Sequence, residues 1–161
     1  MEWELRKRWW RSEKATIWSY LTITLSESSG EKPFWKKLWR LEGRLQGHAP
    51  VVGNAGIFYS HYRWESAIFL NYTASQIWAM GFDAYKYPHI VEEKRLVGEA
   101  QVSYRIGKRW EIRLAVWDFI NQPYRRTQRL GNADTFREER DALAIWERWA
   151  YRAYLTMRYK W

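Results

Sequence analysis

Trp149-Ala150-Tyr151-Arg152-Ala153-Tyr154-Leu155-Thr156-Met157-Arg158-Tyr159-Lys160-Trp161 ends the sequence, and its pattern decides the fold. Trp149, Tyr151, Ala153, Leu155, Met157, Tyr159 and Trp161 fall on one parity. Arg148, Ala150, Arg152, Tyr154, Thr156, Arg158 and Lys160 fall on the other. Successive side chains of a strand point to opposite faces, so the two sets separate into an apolar face and a cationic, polar one. A helix, with about 3.6 residues per turn, would mix them around its circumference. The segment is a strand with two unlike faces.

The same period recurs upstream. Leu96, Gly98, Ala100, Val102, Tyr104 and Ile106 alternate with Val97, Glu99, Gln101, Ser103 and Arg105. Trp110, Ile112, Leu114 and Val116 alternate with Glu111, Arg113, Ala115 and Trp117. Trp64 to Thr73, Val51 to Ser60 and Ala15 to Leu25 behave alike. So does Trp3 to Trp9, although Lys7 interrupts its apolar set. The sequence predicts about seven long antiparallel strands in one all-β unit over residues 1–161.

Two architectures alternate in this way: a soluble antiparallel sandwich, and an outer-membrane barrel with lipid outside and water inside. Three features favour the barrel. The strands approach the roughly 9–11 residues that a tilted spanning strand needs. Arg and Glu recur on the polar face of nearly every strand, which suits a wet lumen. Aromatic residues make up 19% of the chain, with 13 Trp and 11 Tyr, and they collect at strand ends, where amphipathic rings meet a lipid–water boundary. No apolar stretch approaches the roughly 18 residues of a spanning helix. The absence of cysteine excludes disulfides and zinc–thiolate sites. A net charge of +9 suits an anionic surface such as lipopolysaccharide, an anion-attracting lumen or a nucleic acid. Glu2-Trp3-Glu4-Leu5 is already strand-like, with no export signal before it. The expectation is a piece cut from a longer exported protein.

The connections give an independent indication. Short turns at Arg11–Lys14, Ser60–Arg63 and Gly107–Arg109 alternate with long polar connections at Ser26 to about Gly47, Ile77–Lys94 and Asn121–Trp146. An up-and-down barrel has short periplasmic turns and long extracellular loops. Trp39 to Gln46 also alternates. As an eighth strand it would permit a small closed barrel; it reads better as an extension of the following strand, with Pro50 at an irregularity.

Several segments resemble the last third of TonB-dependent receptors, especially those of the Bacteroidetes type. Leu45-Gln46-Gly47-His48-Ala49-Pro50-Val51-Val52-Gly53-Asn54-Ala55-Gly56-Ile57-Phe58-Tyr59 is similar to their L-x-G-x-S-P-x-x-x-N-x-G-x-x-Y strand, with Ala49 in place of Ser. Leu70-Asn71-Tyr72 resembles the next strand. Pro88, Glu92 and Arg95 resemble P-x-x-x-E-x-P-R, with Lys94 where proline is expected. Val102-Ser103-Tyr104 and Asp118-Phe119-Ile120-Asn121-Gln122-Pro123-Tyr124 resemble the penultimate hairpin, with the first position of its N-L-x-N element altered. Leu155, Met157, Tyr159 and Trp161 resemble the terminal assembly signal, where Phe is commoner as the last residue. The resemblance implies an outer-membrane location and a nutrient or siderophore importer, whose barrel of about 22 strands holds an N-terminal plug. It implies lipid, lipopolysaccharide and the barrel-assembly machinery as partners, and TonB only through the plug. Plug and earlier strands lie outside this sequence, so transport belongs to the full-length barrel.

No catalytic constellation stands out, and neither an enzyme nor a cofactor is expected. His48, His61 and His89 lack metal-ligand spacing. Glu99 and Glu111 could face one another across a hairpin, but Arg105 and Arg113 share their face, so a lumen salt-bridge network is simpler. Glu99, Arg105, Glu111, Arg113, Arg148, Arg152 and Arg158 are the expected lumen-facing polar residues. Arg125-Arg126-Thr127-Gln128-Arg129 beside Tyr124 could be a nucleic-acid patch. With the charge-balanced Arg137-Glu138-Glu139-Arg140 beyond it, an extracellular loop near lipopolysaccharide fits better, and no nucleic-acid partner is expected. The competing hypotheses are a small self-contained outer-membrane barrel and a designed basic β-protein that binds anionic polymers.

Overall fold

The computed structural model describes residues 1–28, 45–81, 88–129 and 142–161. Eleven strands follow one another: β1 (Glu2–Arg11), β2 (Ala15–Leu25), β3 (Val51–His61), β4 (Trp64–Thr73), β5 (Gln76–Ala79) and β6 (His89–Glu92), then β7 (Arg95–Ile106), β8 (Trp110–Trp117), β9 (Tyr124–Arg129), β10 (Ala142–Glu147) and β11 (Arg152–Tyr159). The described residues contain no helix.

The seven long strands form one antiparallel sheet in the order β1-β2-β3-β4-β7-β8-β11. The short strands form a second sheet in the order β10-β9-β6-β5. These two orders are related. Each short strand adjoins in sequence one of β4, β7, β8 and β11, and the short sheet repeats their lateral order. The long connections after Thr73 and Trp117 were expected to be loops. Instead they continue the last four strands beyond a break and pair with one another, because β6 and β9 meet through His89 opposite Arg129 and Val91 opposite Thr127.

Arg148 and Trp149 do not belong to the last long strand. They sit in the break between β10 and β11, so Arg148 is no member of the polar face it was expected to join. Residues 39–44 of the candidate eighth strand lie outside the described residues. Leu45 and Gln46 are not in a strand; Gly47 N–H donates to the Ile77 carbonyl at 2.8 Å, and the Gln46 side-chain amide donates to the Trp78 carbonyl at 2.8 Å. Pro50 stands just before β3, where its carbonyl accepts from Ser26 N–H at 3.0 Å.

Tight turns link β1 to β2, β3 to β4 and β7 to β8, all at one end of the long sheet. Gly107 takes φ 62° in the third turn, a left-handed conformation that costs glycine little. Successive hairpins reach further. The row through Ala15, His61, Trp64, Tyr104, Ile112 and Met157 lies just past the last residue of β1, at the last residue of β3, and two residues short of the end of β7. Such a stagger in one direction accompanies strand tilt, and both are required for a sheet to close.

Candidate functional site

Directly opposed residues of an antiparallel ladder share a face, so the registers assign every long-strand residue except Trp9. One row runs Leu155, Leu114, Val102, Ser66, Tyr59, Ile17 and Trp10; the next runs Ala153, Val116, Ala100, Ile68, Ile57 and Ser19. This face is apolar and uncovered: Ile57 is 59% exposed and Leu155 70%. A soluble sandwich would have buried these side chains. A shallow apolar depression over Ala100 is lined by Ile57, Ile68, Val102, Leu114 and Val116.

Aromatics border the apolar face obliquely. Toward the turns, Trp10 and Tyr59 share one row. Trp64 and Tyr104 pair one step nearer the turns, with ring centroids 4.4 Å apart. Trp110 and Tyr159 pair a further step along, at 4.9 Å. Each step is two residues: Tyr59 to His61 on β3, then Tyr104 to Ile106 on β7. The belt therefore follows the stagger of the strands. At the other end, Trp3 and Tyr72 share a row, and Phe119 folds against Gly98. Trp64 and Tyr72 are eight positions apart on β4, about 26 Å along a strand and about 20 Å once tilted by ~40°.

β1 carries a feature the sequence pattern did not reveal. A register shift between Arg8 and Trp10 inserts an extra residue, letting Trp9 donate its indole N–H to Ser19 Oγ at 2.8 Å while Trp10 pairs opposite Ile17. Lys7, the interruption in the apolar set, lies over the Trp9 ring at 4.2 Å.

The opposite face gathers the expected polar residues apart from Arg148. Arg105 is ion-paired with Glu65. Glu111 is approached by Arg113 at 3.3 Å and Arg158 at 4.0 Å. Glu99 accepts from the Trp117 indole, and Arg152 lies over the Trp117 ring at 5.0 Å. Glu99 and Glu111 do not oppose each other, correcting the idea of a facing pair: Glu99 stands opposite Trp117, and Glu111 opposite Arg105. The same face holds an aromatic cluster missed by sequence reasoning, in which Trp18 stacks on Phe58 at 3.8 Å and Phe69 meets Phe58 edge-on at 5.1 Å. Its members come from β2, β3 and β4, so only the registers bring them together.

Leu155 and Met157 lie on the apolar face, Tyr159 in the aromatic belt, and Trp161 is fully exposed past the strand end.

At the break between the sheets, Asp118 takes φ 54° and is 4% exposed. Arg95 donates to its Oδ2 at 2.6 Å, Asn121 N–H donates to its carbonyl at 3.0 Å, and the Gln122 side chain accepts from Leu96 N–H at 2.7 Å. The Arg125–Arg129 run is strand β9, not a loop. Thr127 and Arg129 both donate to Glu93 Oε1, at 2.6 and 3.0 Å. Arg126 lies over the Trp78 ring at 4.0 Å and is 3.8 Å from Glu92. Burial, then its bond to Glu92, pushes the Tyr124 phenol above its ordinary pKa of 10.0. Arg137–Arg140 lies outside the described residues.

The histidines stand apart. His48 meets Ser26 Oγ at 2.9 Å, His61 stacks near Tyr59, and His89 accepts from Gly81 N–H at 3.0 Å. Among the described residues no cluster of three metal-ligating side chains forms. No family model, curated protein or solved structure matches the chain.

Proposed function

We propose that this chain is the C-terminal part of an outer-membrane β-barrel of the TonB-dependent receptor kind. The apolar face meets lipid, the polar face lines the lumen, the tight turns are periplasmic and the long connections extracellular. The observation that carries this reading is the oblique belt from Trp10 and Tyr59 through Trp64 and Tyr104 to Trp110 and Tyr159. A belt at constant membrane depth must cross tilted strands obliquely. A soluble sheet has no physical reason to do the same.

β1 and β11 are the sheet's outer strands and, seven strands being an odd number, run in the same direction. Direct closure would pair them in parallel, which favours a larger barrel over a small self-contained one. Lipopolysaccharide touches the extracellular connections. Leu155, Met157, Tyr159 and Trp161 form the signal read by the barrel-assembly machinery. Transport of a nutrient or siderophore occurs only in the full barrel, where TonB acts through the plug. No enzymatic step is assigned.

Diluting the unfolded chain from denaturant into detergent micelles or plain buffer tests this. Strand structure is expected in micelles and aggregation in buffer. A folded, soluble monomer without detergent contradicts the reading.

A further inference from the structure

Cations gather at both ends of the long sheet. On the break side Arg95 is paired with Asp118, Arg126 with Glu92 and Arg129 with Glu93, while Lys94, Arg125 and Arg148 are exposed and in no ion pair among the described residues. The tight-turn end carries Arg11, Lys14, Arg63, Lys108, Arg109 and Lys160, all exposed; of the acidic side chains at this end Glu13 lies in a turn, while Glu65 and Glu111, just inside the strands, are held by Arg105, Arg113 and Arg158. None of these six is in an ion pair among the described residues.

Two of the six adjoin the aromatic belt. The Arg63 carbonyl accepts from Arg105 N–H at 2.9 Å, next to the Trp64–Tyr104 pair, and the Arg63 guanidinium lies 5.6 Å from the Tyr62 ring. Arg109 donates to the Tyr159 hydroxyl at 3.5 Å. The Arg109 carbonyl also accepts from Lys160 N–H at 2.8 Å, bringing a second cation to that corner. Belt rings turn an apolar body to lipid and a polar tip to water, so cations beside those tips stand at headgroup level.

We propose that the tight-turn rim is a binding surface for the phosphate-bearing headgroups of anionic phospholipid in the leaflet that the turns face. The inference rests on the membrane reading of the apolar face and adds a leaflet-specific partner. Charge complementarity selects the ligand: a line of unpaired Lys and Arg attracts anions, and the ring tips beneath it fix the depth at which they are met. A polynucleotide matches this surface less well, because the neighbouring rings lie on the apolar wall, where bases would have to leave water to reach them.

The test is flotation of the full chain with phosphatidylcholine vesicles, with or without phosphatidylglycerol. A cation near an anionic surface contributes roughly a fivefold gain in affinity. Arg63→Gln, Lys108→Gln and Arg109→Gln combined are expected to lower affinity for phosphatidylglycerol vesicles about a hundredfold. Lys94→Gln, Arg125→Gln and Arg148→Gln, on the other side of the sheet, are expected to leave most of it. The wild-type preference for phosphatidylglycerol should also collapse in high salt, a readout that needs no variant to fold. Equal flotation of wild type with both vesicles, equal loss in both triple variants, or displacement of the vesicles by an oligonucleotide would overturn the proposal while leaving the membrane reading intact. Failure to float with either vesicle would overturn both.

Discussion

Asp118 shows how much one residue can organise here. Its carboxylate is buried against Arg95, and its backbone turns left-handed where β8 leaves the sheet. Asp and Asn tolerate that conformation better than most residues. Asp118→Ala strands a partly buried guanidinium and strains the turn, with an expected cost of about 2–4 kcal/mol. Asp118→Asn should cost less, because the positive φ is kept. Urea unfolding in micelles measures both, and equal losses would deny the turn its role. Gly98 is the apolar-side counterpart: an added Cβ would stand 2.7 Å from Phe119 Cζ, so Gly98→Val should detach the Phe119–Ile120 segment at about 1–3 kcal/mol. Tyr124 gives a pH signature. Burial and Glu92 favour the neutral phenol in the folded state. The stability it contributes is present below the ordinary tyrosine pKa and lost as pH rises through the raised one. In an alkaline absorbance titration the Tyr124 phenol should ionise above its ordinary range, and the difference between wild type and Tyr124→Phe should isolate that component.

Strand faces respond to substitution by parity. Leu155 faces away from the polar network and Thr156 into it, opposite Arg113. In lipid, Leu155→Arg should cost about 2–4 kcal/mol, because a charge deep in the acyl region is poorly solvated, while Thr156→Arg should be nearly neutral. Comparable effects at the two positions would deny the faces their different solvents. Elements of this kind were legible in the sequence because period-two alternation is local: all seven long strands, the three tight turns and the membership of Arg152 and Arg158 in a polar face follow from neighbours along the chain. The four short strands were not legible. Arg125-Arg126-Thr127-Gln128-Arg129 is a run of polar residues whose pairing comes from Glu92 and Glu93, far away in sequence. The bulge at Trp9 hid for a related reason, since two adjacent tryptophans reach one face only through a register shift. Arg148 was misplaced because alternation continues through the break in sequence but not in backbone geometry.

At the scale of the whole sheet, the stagger, the oblique belts and the two free edges belong together. A sheet that staggers is partway to closure, yet among the described residues β1 and β11 each have a paired neighbour on one side only, and they run in the same direction. Each unpaired backbone group costs several kcal/mol in hydrocarbon, so the chain alone should associate through its edges and give no heat-modifiable monomer on electrophoresis. A heat-modifiable monomer would mean that the ends pair after all. Whether one face lies in lipid and the other in water can be measured more directly. The chain has no cysteine, so spin labels at single introduced cysteines from Trp64 to Thr73 and from Arg152 to Tyr159 report each position separately in micelles. A period-two signal is expected, with oxygen accessibility highest at Ile68, Leu70, Leu155 and Met157, and water-soluble nickel-complex accessibility highest at Glu65, Asn71, Thr156 and Arg158. Uniform nickel accessibility on both parities would contradict it.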